Sequence, residues 1–246
     1  MRFVSGLLIG VWRGWMAHHS RSSPVIGAGK PGDAISGECQ DHRRAATRTA
    51  GPNELRSRAL ERTVEISTLG RCAVDGVTVS SRRAVELTAL LVLSESHAQR
   101  DWLMANLFEG DPAPSSLPTL ALRARKAGLP VRYERNQGSY WLTGTVSCDA
   151  ASVLGLLRER RIEEALDRYT GPFLPMSHSP FAMEVRATVE NALVTAVLGR
   201  ADLDLMVRAD RMVKHPKLSE ELVRRGADRT VVSLSRSWLY SLDAVG

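Results

Sequence analysis

Short periodic segments, separated by turn residues, divide the sequence between residues 64 and 142 and limit the folds that it can adopt. Val64–Leu69 and, more loosely, Cys72–Val79 alternate apolar and polar residues, as half-buried strands do. Asp75-Gly76 favours a tight hairpin turn, because both residues tolerate positive φ. A second alternating pair surrounds the turn-forming residues 136–138. The pattern predicts two strands at the start and a hairpin at the end.

Three helical patterns lie between these strand pairs. The first covers Ala84–Leu93, has a wide apolar face and takes Ser80 or Ser81 as its N-cap. The second covers Arg100–Phe108 and ends at a Gly and a Pro. The third covers roughly Ser116–Ala127. Its apolar face contains Leu117, Leu120, Ala121 and Ala124 at helical spacing.

This order of elements predicts an α+β winged helix-turn-helix domain over residues 59–145, with a small N-terminal sheet, three helices and a C-terminal β-hairpin wing. The local charge favours double-stranded DNA as the partner. Residues 115–142 contain five basic residues and one acidic residue. Residues 1–58 contain nine basic and four acidic residues, and thus supply most of the net charge of +6. The local patch, and not the overall charge, predicts DNA binding.

The candidate DNA-contacting residues lie on the third helix, at the wing and near two helix starts. Arg123 is suited to guanine and Lys126 to phosphate, with a merely solvated helix face as the alternative. For the residues at the predicted wing tip, the alternative to a DNA contact is that they simply form the turn of the hairpin. The full set is Thr119, Leu122, Arg123, Arg125, Lys126, Asn136, Gln137, Ser139, Arg82, Arg83 and Arg100. We expect Trp102, Tyr140 and Trp141 to pack in or near the core rather than to stack on bases.

Short motifs follow one another in a fixed order from about Val64 to Arg225. In the first part they are Leu69-Gly70-Arg71 with Asp75-Gly76, Ser81-Arg82-Arg83-Ala84 with Leu90-Leu91, Arg100-Asp101 with Leu103, Leu107 and Phe108, and Gly138-Ser139-Tyr140-Trp141-Leu142. In the second part they are Glu164-Ala165-Leu166, Tyr169-Thr170-Gly171-Pro172-Phe173-Leu174-Pro175, Ser179-Pro180-Phe181 and Arg186. The series resembles the Streptomyces antibiotic regulatory protein family, which joins a response-regulator-type winged helix to a bacterial transcriptional activator domain.

The resemblance implies a regulator that binds promoter repeats and contacts RNA polymerase or another subunit through its helical part, with a homodimer as a further expectation. The chain departs from the family in its third helix. Pro118 lies in the first turn and Leu122 occupies an expected DNA-facing position. Leu122 suits a thymine methyl or a protein surface. The alternative function is therefore a protein–protein adaptor built on a winged helix plus helical repeats, with no sequence-specific DNA binding.

The sequence after Val153 is predicted to be helical. The predicted helices are Ala151–Arg158, Ile162–Tyr169, Phe181–Leu198, Asp202–Val213 and Ser219–Arg225. Because paired helices bury a core by stacking, residues 150–246 predict an all-α, TPR-like domain, and the resemblance implies that it is a truncated activator domain. Residues 230–242 are apolar enough to dock as a strand or a short helix.

Residues 1–58 are predicted to be a disordered leader, because residues 17–58 are rich in small and polar residues and show no periodicity. The apolar run Phe3–Trp12 is too short to span a bilayer. A secretory signal ending near Trp15-Met16-Ala17 is one alternative, and translated sequence upstream of the true start codon is another.

Sequence motifs of enzymes and metal sites are lacking. We find no nucleotide-binding loop, GxSxG elbow, HExxH motif or pair of catalytic carboxylates. Cys39, Cys72 and Cys148 are far apart and have no partner at ligand spacing. We therefore expect a cytoplasmic, nucleoid-associated protein without enzymatic activity, cofactor, metal or membrane contact.

Overall fold

The computed structural model describes residues 63–244, which fold into two small sheets and nine α-helices. The predicted leader, residues 1–58, lies outside the described residues. The strands are β1 (Val64–Ser67), β2 (Ala73–Val74), β3 (Val77–Thr78), β4 (His97–Gln99), β5 (Val131–Glu134), β6 (Ser139–Leu142) and β7 (Val146–Cys148). The helices are α1 (Arg82–Leu93), α2 (Arg100–Leu107), α3 (Ser116–Lys126), α4 (Asp149–Arg158), α5 (Ile162–Arg168), α6 (Pro180–Arg200), α7 (Leu203–Met212), α8 (Pro216–Arg225) and α9 (Arg229–Asp243). The prediction of an α+β fold with a helical C-terminal part is confirmed.

The first sheet has the strand order β3-β2-β1-β7. The predicted Asp75-Gly76 turn connects β2 to β3, with φ angles of +48° and +78°. On its other side β1 pairs in parallel with β7, so that Val64 is opposite Val146 and Ile66 is opposite Cys148. Periodicity does not predict β7, because a three-residue strand shows too little alternation.

The second sheet has the order β4-β6-β5 and contains the predicted closing hairpin, β5–β6. The short strand β4 is an addition that the sequence does not predict. The core surrounds α1, which contacts both sheets and α3. Residues 84–91 of α1 are all buried. Ser81 is the N-cap of α1, but its side chain makes no capping hydrogen bond, contrary to the capping role predicted for Ser80 or Ser81.

The predicted helices of the second part are present, with ends displaced by a few residues. The Ser179 hydroxyl caps α6 by accepting the Ala182 N–H, and Pro180 occupies the first turn. Residues 230–242, predicted as a strand or a short helix, lie within the helix α9. None of the helices between residues 63 and 244 combines the length and the apolar character that a bilayer span requires.

The Asp149 carboxylate joins β1 to the start of α4. One of its oxygens lies 2.8 Å from the Thr68 nitrogen and 2.5 Å from the Thr68 hydroxyl, and the other lies 3.0 Å from the Leu69 nitrogen. Asp149 also accepts the N–H of Ala150, in the first turn of α4, at 2.8 Å. This one side chain thus connects segments that are 80 residues apart. Charge-assisted hydrogen bonds of this kind are about twice as strong as neutral ones.

A second junction forms where the loop after β1 crosses the loop after α5. The Gly70 N–H donates to the Pro172 carbonyl at 2.9 Å, and the Thr170 hydroxyl donates to the Leu69 carbonyl at 2.7 Å. A Cβ atom on Gly70 would lie 2.7 Å from the Thr170 oxygen, and one on Gly171 would lie 2.9 Å from the Gly70 Cα. Both positions therefore require glycine.

We predict that Asp149→Ala lowers the free energy of unfolding by about 2–4 kcal/mol, because several donors at the junction lose their acceptor. Asp202→Ala is the matched control, since Asp202 also accepts two backbone N–H groups, those of Asp204 and Leu205, but at an exposed helix start. That substitution is expected to cost about 1 kcal/mol. Urea unfolding measures both values, and equal losses would contradict the role assigned to Asp149.

Candidate nucleic-acid interface

Helix α3 is held by its apolar face and leaves its basic face exposed. The predicted inward residues are all buried: Leu117, Leu120, Ala121 and Ala124. Pro118 is the third residue of the helix, where its missing N–H leaves no intrahelical bond unmade. The Thr119 N–H still donates to the Ser115 carbonyl at 3.0 Å, so the helix is continuous through its first turn.

The predicted outward residues of α3 are all exposed: Thr119, Leu122, Arg123, Arg125 and Lys126. Leu122 is 45% exposed and adds one apolar side chain to this otherwise polar face. The Arg125 guanidinium reaches the Val131 carbonyl at 3.4 Å and so lies against β5. Arg123 and Lys126 form no ion pair with any residue between 63 and 244.

Arg123 and Lys126 line a groove of about 580 Å³, and the opposite wall is the loop that joins β3 to α1. Ser80 and Ser81 belong to that loop, and Arg82 lies at the far end of the same surface, near Arg123. The first turn of α1 contains no acidic residue, so no carboxylate there offsets the positive end of the helix dipole. The groove therefore combines basic side chains from α3 with the positive end of α1.

Arg83 has a structural role rather than a free surface position. Its guanidinium donates to the Glu86 carboxylate at 2.8 Å and to the Leu107 carbonyl, and lies 5.1 Å from the centre of the Phe108 ring. It thus fastens α1 to the C-terminal end of α2. Because the Arg83 guanidinium already has these partners, few of its N–H groups are free to bind a DNA phosphate.

Arg82 and Arg100 differ in whether their guanidinium groups have partners within the protein. Arg82 is exposed and forms no ion pair with another described residue. The Arg100 guanidinium is 3.0 Å from the Asp101 carboxylate and 3.5 Å from the Pro114 carbonyl. Of the three arginines predicted near helix starts, Arg82 is the one whose side chain faces the groove without a competing carboxylate.

In the β5–β6 hairpin, which is predicted to be a wing, Asn136 and Gln137 lie in the exposed turn. Ser139 is only 2% exposed, because it lies in β6 between Gln99 of β4 and Glu134 of β5. This burial corrects the prediction for Ser139, whose hydroxyl does not reach the surface. The strand β4, which the sequence does not predict, is what covers it.

Two further basic residues of the β5–β6 hairpin, Arg132 and Arg135, are exposed but were not among the predicted contacts. Arg132 alternates with Val131, which is 0% exposed, so the strand period itself places Arg132 on the outer face. On that face it pairs across the ladder with Trp141, which is 38% exposed. The packing expected for the aromatic residues is therefore found for Tyr140, at 2% exposure, but less so for Trp141.

The described thiols and metal-ligating residues offer no second candidate site. Burial raises the pKa of both Cys72 and Cys148 to about 11, so neither is a thiolate at neutral pH. Among residues 63–244, no three His, Cys, Asp or Glu side chains are grouped as metal ligands. Cys39 lies outside the described residues.

Comparison of the chain with models of protein families gives no match, and comparison with curated protein sequences gives none either. The family resemblance of the motifs therefore stays a prediction. The functional assignment depends on the geometry and charge of the groove and of the β5–β6 hairpin.

We predict that Arg83→Ala lowers the free energy of unfolding by about 1–3 kcal/mol, because it leaves the buried Glu86 carboxylate without its cation. Arg82→Ala removes the same side chain one residue earlier and is expected to change that free energy by less than about 0.5 kcal/mol. Urea unfolding of the two variants makes the comparison. A larger loss of unfolding free energy for Arg82→Ala than for Arg83→Ala would show that Arg82, and not Arg83, has the structural role.

Proposed function

We propose that this protein is a DNA-binding transcription regulator. In this proposal α2 and α3 form a helix-turn-helix, the β5–β6 hairpin is its wing, and the helical residues 149–244 form a TPR-like region that contacts RNA polymerase or another protein subunit. The observation that carries the proposal is the groove, where Arg82, Arg123 and Lys126 come together without a carboxylate partner among the described residues.

The contrast with the helical part supports this proposal. There, several basic side chains lie beside acidic ones: Arg161 contacts Glu159 and Glu164, Arg208 contacts Asp167, Lys214 contacts Asp210, and Arg224 and Arg225 contact Glu221. Others, such as Arg168 and Arg211, are exposed and form no ion pair with a described residue. The basic residues of α3 and the wing have no such partners among residues 63–244. Phosphates would supply the missing negative charge and release counterions, which is the main source of affinity for DNA.

The dimensions of α3 fit the proposed contact. Its 11 residues give a length of about 16 Å, and a helix of this kind enters the major groove of B-DNA. In that orientation Arg123 and Leu122 face base edges, where arginine recognises guanine and an apolar side chain contacts the thymine methyl. Arg82 at the start of α1 and Arg132 and Arg135 on the wing would lie along the phosphate backbone.

The adaptor remains the second candidate, and the exposure of Leu122 favours it. An apolar side chain that is 45% exposed on a helix also suits a protein surface. The two candidates differ in one measurable respect, since an adaptor of this kind binds no DNA sequence specifically.

We predict that the full chain binds a duplex selected from a random-sequence library and that its affinity falls steeply between 50 and 200 mM salt. Arg123→Ala is expected to weaken binding by about 1–3 kcal/mol and to relax the sequence preference, because it removes a base contact. Lys126→Ala is expected to weaken binding to all sequences alike and to reduce the salt dependence, because it removes a phosphate contact. Fluorescence anisotropy at several salt concentrations gives these values.

Arg211→Ala is the charge-matched control, since Arg211 is exposed on α7, outside the groove. Its affinity for the selected duplex should equal that of the wild type. Binding that is unchanged by Arg123→Ala would remove α3 from the interface. Failure to select any sequence from the library would favour the adaptor.

A further inference from the structure

A cavity of about 450 Å³ lies between the start of α1 and the loop that precedes α6. Its walls come from the segment before β2, from the first turns of α1 and from residues 174–178. Cavities of this volume are typical of small-molecule sites, which often lie where separately packed parts of a protein meet. The cavity is therefore a candidate ligand site, which shares Arg82 with the surface beside α3.

Buried hydrogen bonds hold the two walls in place. Glu86 on α1 is 1% exposed and accepts the Ser177 hydroxyl at 2.6 Å and the Ser179 hydroxyl. From the other side, the Arg186 guanidinium donates to the carbonyls of Leu174 and Ser177 at 2.8 and 3.0 Å. Because both walls are anchored, the cavity is formed before any ligand arrives, which lowers the entropic cost of binding.

Part of the cavity lining is apolar. It consists of Leu174, Pro175 and Met176, together with the half-buried Cys72. Burial raises the pKa of the Cys72 thiol to about 11, so this group is neutral at pH 7 and behaves as a small apolar side chain. Met176 is 70% exposed, and its flexible thioether can fold onto a ligand at the mouth.

The cavity lining also carries positive charge. Arg71 and Arg82 belong to the lining, and neither forms an ion pair with a described residue. The one acidic residue among the described lining residues is Glu86, whose charge is already matched by Arg83 at 2.8 Å. An incoming ligand therefore meets an excess of guanidinium groups, which bind carboxylates, sulfonates and phosphates through two parallel hydrogen bonds.

We propose that this cavity binds a small organic anion with an apolar body. The apolar body lies against Leu174 and Met176, and the anionic group lies between Arg71 and Arg82. A neutral molecule of the same shape gains the apolar contact alone. Binding of the anion itself does not require DNA binding, although Arg82 is shared between this cavity and the surface beside α3.

The probes 1-anilinonaphthalene-8-sulfonate and N-phenyl-1-naphthylamine test this proposal, because they share one aromatic body and differ by the sulfonate. Fluorescence titration of the full chain should show that the sulfonate binds at least about tenfold more tightly. The double variant Arg71→Glu/Arg82→Glu should lose about tenfold or more of that affinity. A carboxylate at position 82 suits the first turn of α1, so the fold should persist, and circular dichroism checks this.

Alkylation of Cys72 in the wild-type protein gives a second measurement that requires no variant. Saturating sulfonate probe should slow the modification of the Cys72 peptide several-fold at pH 9, as measured by mass spectrometry, because the ligand covers the thiol. The buried Cys148 serves as the internal reference.

Helix α9 supplies the control for non-specific binding, because Leu234 and Tyr240 on it are 62% and 79% exposed. The variant Leu234→Ser/Tyr240→Ser should bind the sulfonate probe as the wild type does. Equal affinity for the two probes, full binding by the double arginine variant, or an unchanged rate at Cys72 would each overturn the proposal. Loss of binding in the α9 variant would place the probe on α9 and overturn it as well.

Discussion

The bonds of the Asp149 carboxylate are the interaction on which the rest of the structure depends. This side chain accepts the Thr68 and Leu69 N–H groups and thereby holds β7 and the start of α4 against the end of β1. The same segment, just beyond β1, then crosses the loop after α5 at Gly70. Helix α1 packs on the sheet fixed in this way, and α3 packs on α1. The orientation of α3, and with it the direction of its basic face, therefore depends on packing contacts that begin at Asp149.

The separation of charge is the second constraint, and it links the fold to the proposed function. In the helical part six Arg or Lys side chains form ion pairs with Asp or Glu of the same part, while others such as Arg168 and Arg211 form none among the described residues. On α3 and the β5–β6 hairpin none of the exposed basic residues has such a partner among residues 63–244. Exposed ion pairs contribute little to stability. The difference in ion pairing between the two parts therefore determines which surface attracts an anion, and it does not make one part more stable than the other.

Elements whose signal is local could be predicted, whereas those that depend on a distant partner could not. The Asp75-Gly76 turn and the two faces of α3 follow from residue type and helical period, and both are found. The strands β4 and β7 are stabilised by pairing with β6 and β1, respectively. Because each has only three residues, its own sequence shows too little alternation to predict a strand. For the same reason the burial of Ser139 was missed. Glu86 was missed because its serine partners lie about 90 residues away.

Hydrogen exchange of the full chain, measured by mass spectrometry with and without a saturating DNA duplex at low salt, tests the central claim most directly. That claim is that DNA lies against α3, the wing and the start of α1. Slower exchange should appear in peptides that cover residues 116–126 and 131–142, with no change in residues 203–243. Protection confined to residues 203–243, or none anywhere with DNA bound, would contradict the claim.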